Sequence, residues 1–419
     1  MSENIMTTSA ETQAAESQPA RPEPGQRLMS LDALRGFDMF WIIGADSLVY
    51  ALNKMSRSKP TEFLAAQLDH ADWQGFHFYD LIFPLFVFIA GVSLVFSLGR
   101  TIDQAGRAAA VKRIVRRSIL LFLLGIFYSG GLSNRWPDIR LMGVLNRIAL
   151  AYLFAGIFFC FVRKRGLIAI CAGLLVGYWA LMTFVPFPDV RPTPGAGTIS
   201  KEDGFRRVSQ LNLDSTNRIR GVFLKGVNLA NYLDQKYLPG SKYDGTWDPE
   251  GLLSTLPAIA SCLLGVLAGL FLKQSPAPPG RKVIYLLAFG AGGVTLGWLW
   301  GLQFPVVKKI WTSSYVLVAG GWSAVLLGGF YLVVDVWKFQ KWCRPFVWMG
   351  MNSITVYMTA NILGSFTRPA RRLVGGDISA FLEAHVAKGF GELVMSLVGL
   401  LLAFWFVRFL YRRKIFLRL

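Results

Sequence analysis

The 419-residue chain is short of charge: Asp, Glu, Lys and Arg make up 16% of it, against about 25% in soluble domains. Beside a hydrophobic content of 53%, that shortage excludes an ordinary water-soluble enzyme. Cysteine is scarce as well. Cys160, Cys171, Cys262 and Cys343 lie in or beside apolar runs and form no Cys-x-x-Cys pair, so neither a disulfide framework nor a zinc site is indicated and no metal is expected. The apolar runs are continuous rather than alternating in segments of ~10 residues, which argues against a transmembrane β-barrel. No basic start leading into a short apolar stretch and a cleavage site opens the chain, so no cleaved signal peptide is expected and the first helix must act as its own insertion signal.

What is present is a series of long apolar stretches. A span needs about 20 predominantly apolar residues, and ten stretches qualify: 31–52, 80–99, 117–133, 144–162, 166–185, 252–272, 283–302, 314–336, 345–364 and 390–411. The expected fold class is all-α, a polytopic helix bundle integral to the membrane. Gly130, Gly131 and Ser133 weaken the end of the third stretch. Residues 1–26 are polar, with little to bury, and read as a disordered tail; residues 27–419 form the membrane domain. Between the fifth and sixth stretches, residues 186–250 carry aromatics and nearly balanced charge, which predicts a small ordered subdomain outside the bilayer. Gly-rich patches within the spans (GAGG, AGG, LGG) lack any strand-to-helix context and read as close helix packing.

The net charge is +19, and its distribution decides its meaning. Lys and Arg fall in short clusters between apolar runs, as at Arg100, Arg107, Lys112, Arg113, Arg116 and Arg117. One side of the expected topology holds twice as many of them as the short loops of the other. By the positive-inside rule both termini are cytoplasmic and residues 186–250 face outward. This pattern serves orientation in a bilayer and not a nucleic-acid partner.

Ionisable residues inside spans are costly and tend to face a bundle interior. The first stretch, SLDALRGFDMFWIIGADSLVYALN, is the richest in them. On a continuous α-helix Arg35 and Asp46 project about 20° apart, with Asp32 and Asp38 about 60° to either side. Asp46 lies about 16 Å further along the axis than Arg35 and lacks a basic neighbour on its own helix. The next segment, LDHADWQGFHFYDLIFPLFVFIAGVSL, holds His70 and His77, two of three histidines. Histidine is a natural general base or acyl acceptor, and Asp69, Asp72 and Asp80 stand near enough in sequence to orient one of them. Arg147 enters a later span beside Asn146. Asn352 adjoins a polar stripe of Ser353, Tyr357 and Asn361 at i+4 spacing, which suits interhelical hydrogen bonding or ligand contact.

Four ordered motifs, SLDALRGFDMFWIIG, HADWQGFHFYDLIFPLFVFIAGVSL, GVLNRIALAYL and WDPEGLLSTLPAIASCLLGVLAG, resemble the heparan-α-glucosaminide N-acetyltransferase family, and most closely its bacterial DUF5009 or NagX-like members. The resemblance implies a multi-helix enzyme of the bacterial inner membrane. Such an enzyme takes acetyl from cytoplasmic acetyl-CoA, a co-substrate, and delivers it to the amino group of an amino sugar or amino-sugar-terminated glycan on the periplasmic side. The family's essential histidine, in a His-Ala-x-Trp-x-Gly motif, matches His70. An Asn eleven positions after the Arg of its Arg-Gly pair matches Asp46, a departure, because an ionised carboxylate cannot donate the hydrogen bond of an amide. The resemblance thus implies His70 and Asp46 as catalytic residues. It leaves open whether His70 is the base or the transient acetyl carrier. Trp73, Asp80, Asn352 and Tyr357 fall to the acceptor sugar, and Arg35, Arg147, Arg116 and Arg117 to the phosphates of the donor. A homo-oligomer is left open. The alternative is a transporter of N-acetylglucosamine or related sugars using Asp38 or Asp46 for proton coupling, although no internal repeat between the halves supports it. A non-catalytic membrane component is the blandest reading.

Overall fold

The computed structural model describes residues 28–417, and the expected tail at 1–26 lies outside them. The fold is an all-α multi-pass membrane bundle. Seven helices among the described residues are long and apolar enough to cross a bilayer: α4 (Phe78–Tyr128), α5 (Val144–Phe161), α6 (Lys164–Phe184), α8 (Thr255–Gln274), α9 (Pro279–Gly301), α10 (Ser313–Phe330, extended by a π turn to Val336) and α13 (Phe390–Arg412).

The expected second and third spans are the two arms of α4. A straight helix of 51 residues would measure about 76 Å, more than twice the hydrocarbon core. Gly106 breaks it at φ 80°, ψ 174°, a conformation that a Cβ would strain. The chain folds back there, since Arg113 donates to the Thr101 hydroxyl at 3.0 Å although a continuous helix would separate these residues by about 18 Å along its axis. The second arm ends at Tyr128, short of the expected 133, because Gly130 and Gly131 both take positive φ.

The expected first and ninth spans are each broken. The first comprises α1 (Met29–Phe40), a π turn (Trp41–Ala45) and α2 (Asp46–Met55), with Gly44 at φ 113°. The ninth comprises α11 (Arg344–Met351) and α12 (Ser353–Leu363), divided at Asn352. The π turn corrects the single polar wedge expected of the first stretch: 100° per residue does not hold across Gly44, so Asp46 leaves the register of Asp32, Arg35 and Asp38. Irregular backbone at membrane depth is tolerated where it lines a cavity, and both breaks do so here.

Helices α9 and α10 approach until a Cβ on Gly290 would meet the Gly321 carbonyl at 2.8 Å, and one on Gly321 the Gly290 carbonyl at 2.6 Å. Those glycines come from two of the Gly-rich patches, which act in close packing. Between α6 and α8, β1 (Phe187–Pro188) pairs antiparallel with β2 (Arg218–Ile219), and α7 (Leu229–Tyr237) follows. Phe187, Val190, Ile199, Val227 and Tyr232 join Tyr178 of α6 and Phe304, Val307 and Ile310 of the α9–α10 loop in one apolar cluster. That cluster seats residues 187–250 on the membrane helices. It also fixes the α9–α10 loop, which carries part of the site.

Candidate active site

The loop before α4 is built by its own sequence. Helix α3 (Lys59–Leu68) ends and Gly75 turns the chain at φ 125°, its N–H donating to the Val306 carbonyl at 2.9 Å. Asp80, in the first turn of α4, accepts from the backbone N–H of His77 at 3.0 Å and of Ala71 at 3.2 Å. The first is a donor at a helix start, and the second belongs to the loop that the carboxylate closes. The same buried carboxylate meets His70 Nδ1 at 2.8 Å through Oδ1. The backbone carbonyl of Asp80 accepts from the Tyr315 hydroxyl of α10 at 2.8 Å. One aspartate thus caps a helix, closes a loop and orients an imidazole.

From the α9–α10 loop, Lys308 brings Nζ to 3.0 Å from His70 Nδ1, 3.3 Å from Nε2 and 3.3 Å from Asp80 Oδ1. Burial holds its ammonium below the ordinary lysine range, against the opposing pull of Asp80. The Tyr79 ring stands 5.0 Å from the imidazole.

His70, Tyr79 and Lys308 line a cavity of about 400 Å³. Its apolar wall comes from Met39 of α1 and Ile42 of the π turn, from Ile82, Phe83 and Phe86 of α4, and from Leu145 and Ile148 of α5. Ser353 and Tyr357 enter from α12 beyond the Asn352 break, and Tyr357 stacks on Tyr128 at 4.5 Å. A polar wall is formed by Arg140, Tyr243, Glu250 and Lys309. Arg140 grips Asp248 through Nε and Nη2, each at 2.8 Å, and reaches Glu250 Oε2 at 2.8 Å. Those carboxylates raise the Arg140 guanidinium despite its burial. Burial, reinforced by Asp248, pushes the Glu250 carboxyl up to about 7.

Among the residues expected at the site, His70 and Tyr357 line this cavity, and Asp80 supports it from behind. Asp46 does not line it. It lies in electrostatic range of Asp69 and of Tyr79, both neighbours of His70. Trp73 turns away, donating to the Phe223 carbonyl at 2.6 Å and meeting Trp247 edge to face. Asn352 is buried at the α11–α12 break, where its amide donates to the Trp348 carbonyl. The four arginines expected at donor phosphates are dispersed. Arg35 engages Asp32, the Gly350 carbonyl and the Ser93 hydroxyl. Arg147 is fully buried over the Trp311 ring at 4.8 Å. Arg117 covers Tyr152, and Arg116 is exposed.

The cations that do line the cavity, Arg140, Lys308 and Lys309, count in the sequence only as outer-loop charge. Their signal was the Lys308–Lys309 pair beside Trp311, on the side of the expected topology that is poor in such residues. Glu250 stands in the WDPEG motif, which supports the resemblance without assigning the residue a role.

Residues 27–194 match the family described as heparan-alpha-glucosaminide N-acetyltransferase, catalytic. That match spans about two-fifths of the chain. The chain is similar to the human heparan-alpha-glucosaminide N-acetyltransferase, at 27% identity over 388 residues that cover 83% of this chain and 55% of that protein. The mouse protein of the same name gives 26% over 381 residues, covering 83% and 56%. The chain therefore spans about half the length of the curated relatives it matches. The family match contains His70, Asp80 and Arg140 and stops short of Glu250 and Lys308.

Proposed function

We propose that this protein is a member of that family and a transmembrane N-acetyltransferase of the bacterial inner membrane, moving acetyl from cytoplasmic acetyl-CoA to the amino group of an amino sugar at the periplasmic face. The observation that carries the reading is the Asp80–His70 pair at the wall of a cavity that also holds Lys308. With Nδ1 committed to Asp80 Oδ1, Nε2 is the nitrogen available to take a proton or an acyl group. Lys308 supplies a positive charge beside the imidazole, where the oxyanion of an acyl transfer develops. The largely apolar wall keeps water from the activated acyl group. The cavity residues suit an acyl donor: an apolar slot accepts a flexible thioester arm, and Arg140 and Lys309 offer charge near its mouth. When bound, acetyl-CoA supplies the activated acyl carbon. Asp46 acts through Tyr79 and Asp69, as a positioning residue.

The test is thiol release by purified protein with acetyl-CoA and a panel of amino sugars. We expect turnover with at least one glucosamine-type acceptor, and its loss in His70→Ala with membrane insertion unchanged. Full turnover by His70→Ala would remove this mechanism. Sugar uptake that proceeds without acetyl-CoA would turn the reading to transport.

A further inference from the structure

An amine acceptor reaches the site as an ammonium, and it must lose a proton before its nitrogen can attack. If His70 carries the acyl group, it cannot take that proton. If His70 assists the donor directly, it still meets two protons from one nitrogen. A second proton acceptor in the same cavity answers either case.

Among the described residues that line the cavity, Glu250 is the carboxylate. It sits just before α8, on the wall formed with Arg140 and Tyr243. Its placement is enforced: Arg140 holds Oε2 at 2.8 Å, and Asp248 Oδ1 accepts the Glu250 backbone N–H at 3.1 Å. The groups acting on it come from several elements. Asp248 adds negative charge from its own loop, and Arg140 and Arg147 add positive charge. Lys308 faces it from the α9–α10 loop and Tyr357 from α12, both within electrostatic range.

We infer that Glu250 is the acceptor-side catalytic residue, binding the ammonium of a primary-amine substrate opposite His70 and taking its proton. This inference rests on the proposed acyl transfer. The ammonium passes one proton to the Glu250 carboxylate, and the freed lone pair forms the new C–N bond to the acyl carbon. The bond to the acyl carrier breaks with its electron pair on the leaving atom, imidazole nitrogen or thiol sulfur, which takes the second N–H proton. The Glu250 proton then returns to solvent. A carboxyl raised to about 7 is matched to this task, because a base works best when its affinity for protons lies near the operating pH.

The experiment compares two acceptors on Glu250→Gln: glucosamine, largely an ammonium at neutral pH, and hydroxylamine, which is already unprotonated there. We expect Glu250→Gln to lose about 10²-fold or more with glucosamine and to keep hydroxylamine acetylation within a fewfold of wild type. Glu250→Asp, which retains the carboxylate and the pairing with Arg140, should recover part of the glucosamine rate and keep an acid limb near pH 7. Equal loss with both acceptors in Glu250→Gln, at an unchanged thermal midpoint, overturns the inference, and so does no loss with either. Glu250→Asp as inactive as Glu250→Gln toward glucosamine also overturns it. Turnover surviving in His70→Ala would instead bring down the acyl-transfer reading, whatever the Glu250 variants do.

Discussion

Nδ1 of His70 and Oδ1 of Asp80 lie 2.8 Å apart, and the other oxygen of that carboxylate is held by two backbone amides, those of Ala71 and His77. The carboxylate therefore cannot swing away, and the imidazole is fixed in the tautomer that leaves Nε2 unprotonated, with Lys308 Nζ 3.3 Å from it. Asp80→Asn retains the shape but offers Nδ1 an amide. We expect a fall of about 10²- to 10⁴-fold in acetyl transfer, read in initial rates, with little change in thermal midpoint. Asp80→Ala should also lower the midpoint, because the two amides lose their acceptor. Equal thermal losses for the two variants would show that the carboxylate is structural alone.

Lys308 is the cation nearest the imidazole. Burial lowers its affinity for a proton, so it becomes neutral below the pH at which a free lysine does. If its charge stabilises the oxyanion, the rate falls as pH rises through that lowered value. Lys308→Arg keeps the charge at all working pH values and should extend the alkaline limb upward, while Lys308→Met should lose about 10²- to 10³-fold at neutral pH. The profile of rate against pH for the three proteins decides it. An alkaline limb that does not move in Lys308→Arg excludes Lys308 as its origin.

Much of this arrangement was legible in the sequence, and the failures have causes. Apolar run length located the spanning helices because hydrocarbon thickness fixes what a span requires. It could not show that the runs around Gly44 and Asn352 break, since a π turn and a one-residue interruption leave hydropathy unchanged. His70 was accessible through its motif, and Tyr357 through i+4 spacing. Lys308 and Glu250 were not, because they reach the cavity from loops whose paths depend on the packing of residues 187–250 against the α9–α10 loop. Trp73 and Asn352 share motifs with site residues but spend their polar atoms on backbone carbonyls, and neighbours in sequence need not share a face.

Asp46 tests the broken first span. The π turn takes it out of the polar wedge and into electrostatic range of Tyr79 and Asp69, through which it acts on His70. Asp46→Asn gives the residue that the family resemblance implies at this position and should keep a partial rate. Asp46→Ala should fall below it, with the loss appearing in kcat more than in the KM for the amino sugar, as expected of a positioning residue outside the cavity. Indistinguishable rates for the two variants would defeat the alignment of Asp46 with the family's Asn.

Asp234 lies outside the membrane helices, on α7, and its oxygen accepts the Leu252 backbone N–H at 2.8 Å. Burial raises its carboxyl to about 7, far above the unfolded value near 4. The folded state therefore binds a proton that the unfolded chain has already released between these limits. Stability from this group is complete below about pH 4, falls as pH rises toward 7, and is flat beyond, a change of at most about 4 kcal/mol. Glu250, raised to about 7 as well, adds a slope of the same sign. Asp234→Asn cannot ionise, so its thermal midpoint should fall less steeply than that of wild type between pH 5 and 7. The two midpoints, measured in one detergent across that range, should diverge toward neutrality with the variant the more stable. Parallel curves would mean that Asp234 is ionised in the folded protein throughout, its charge balanced by the neighbouring Arg147.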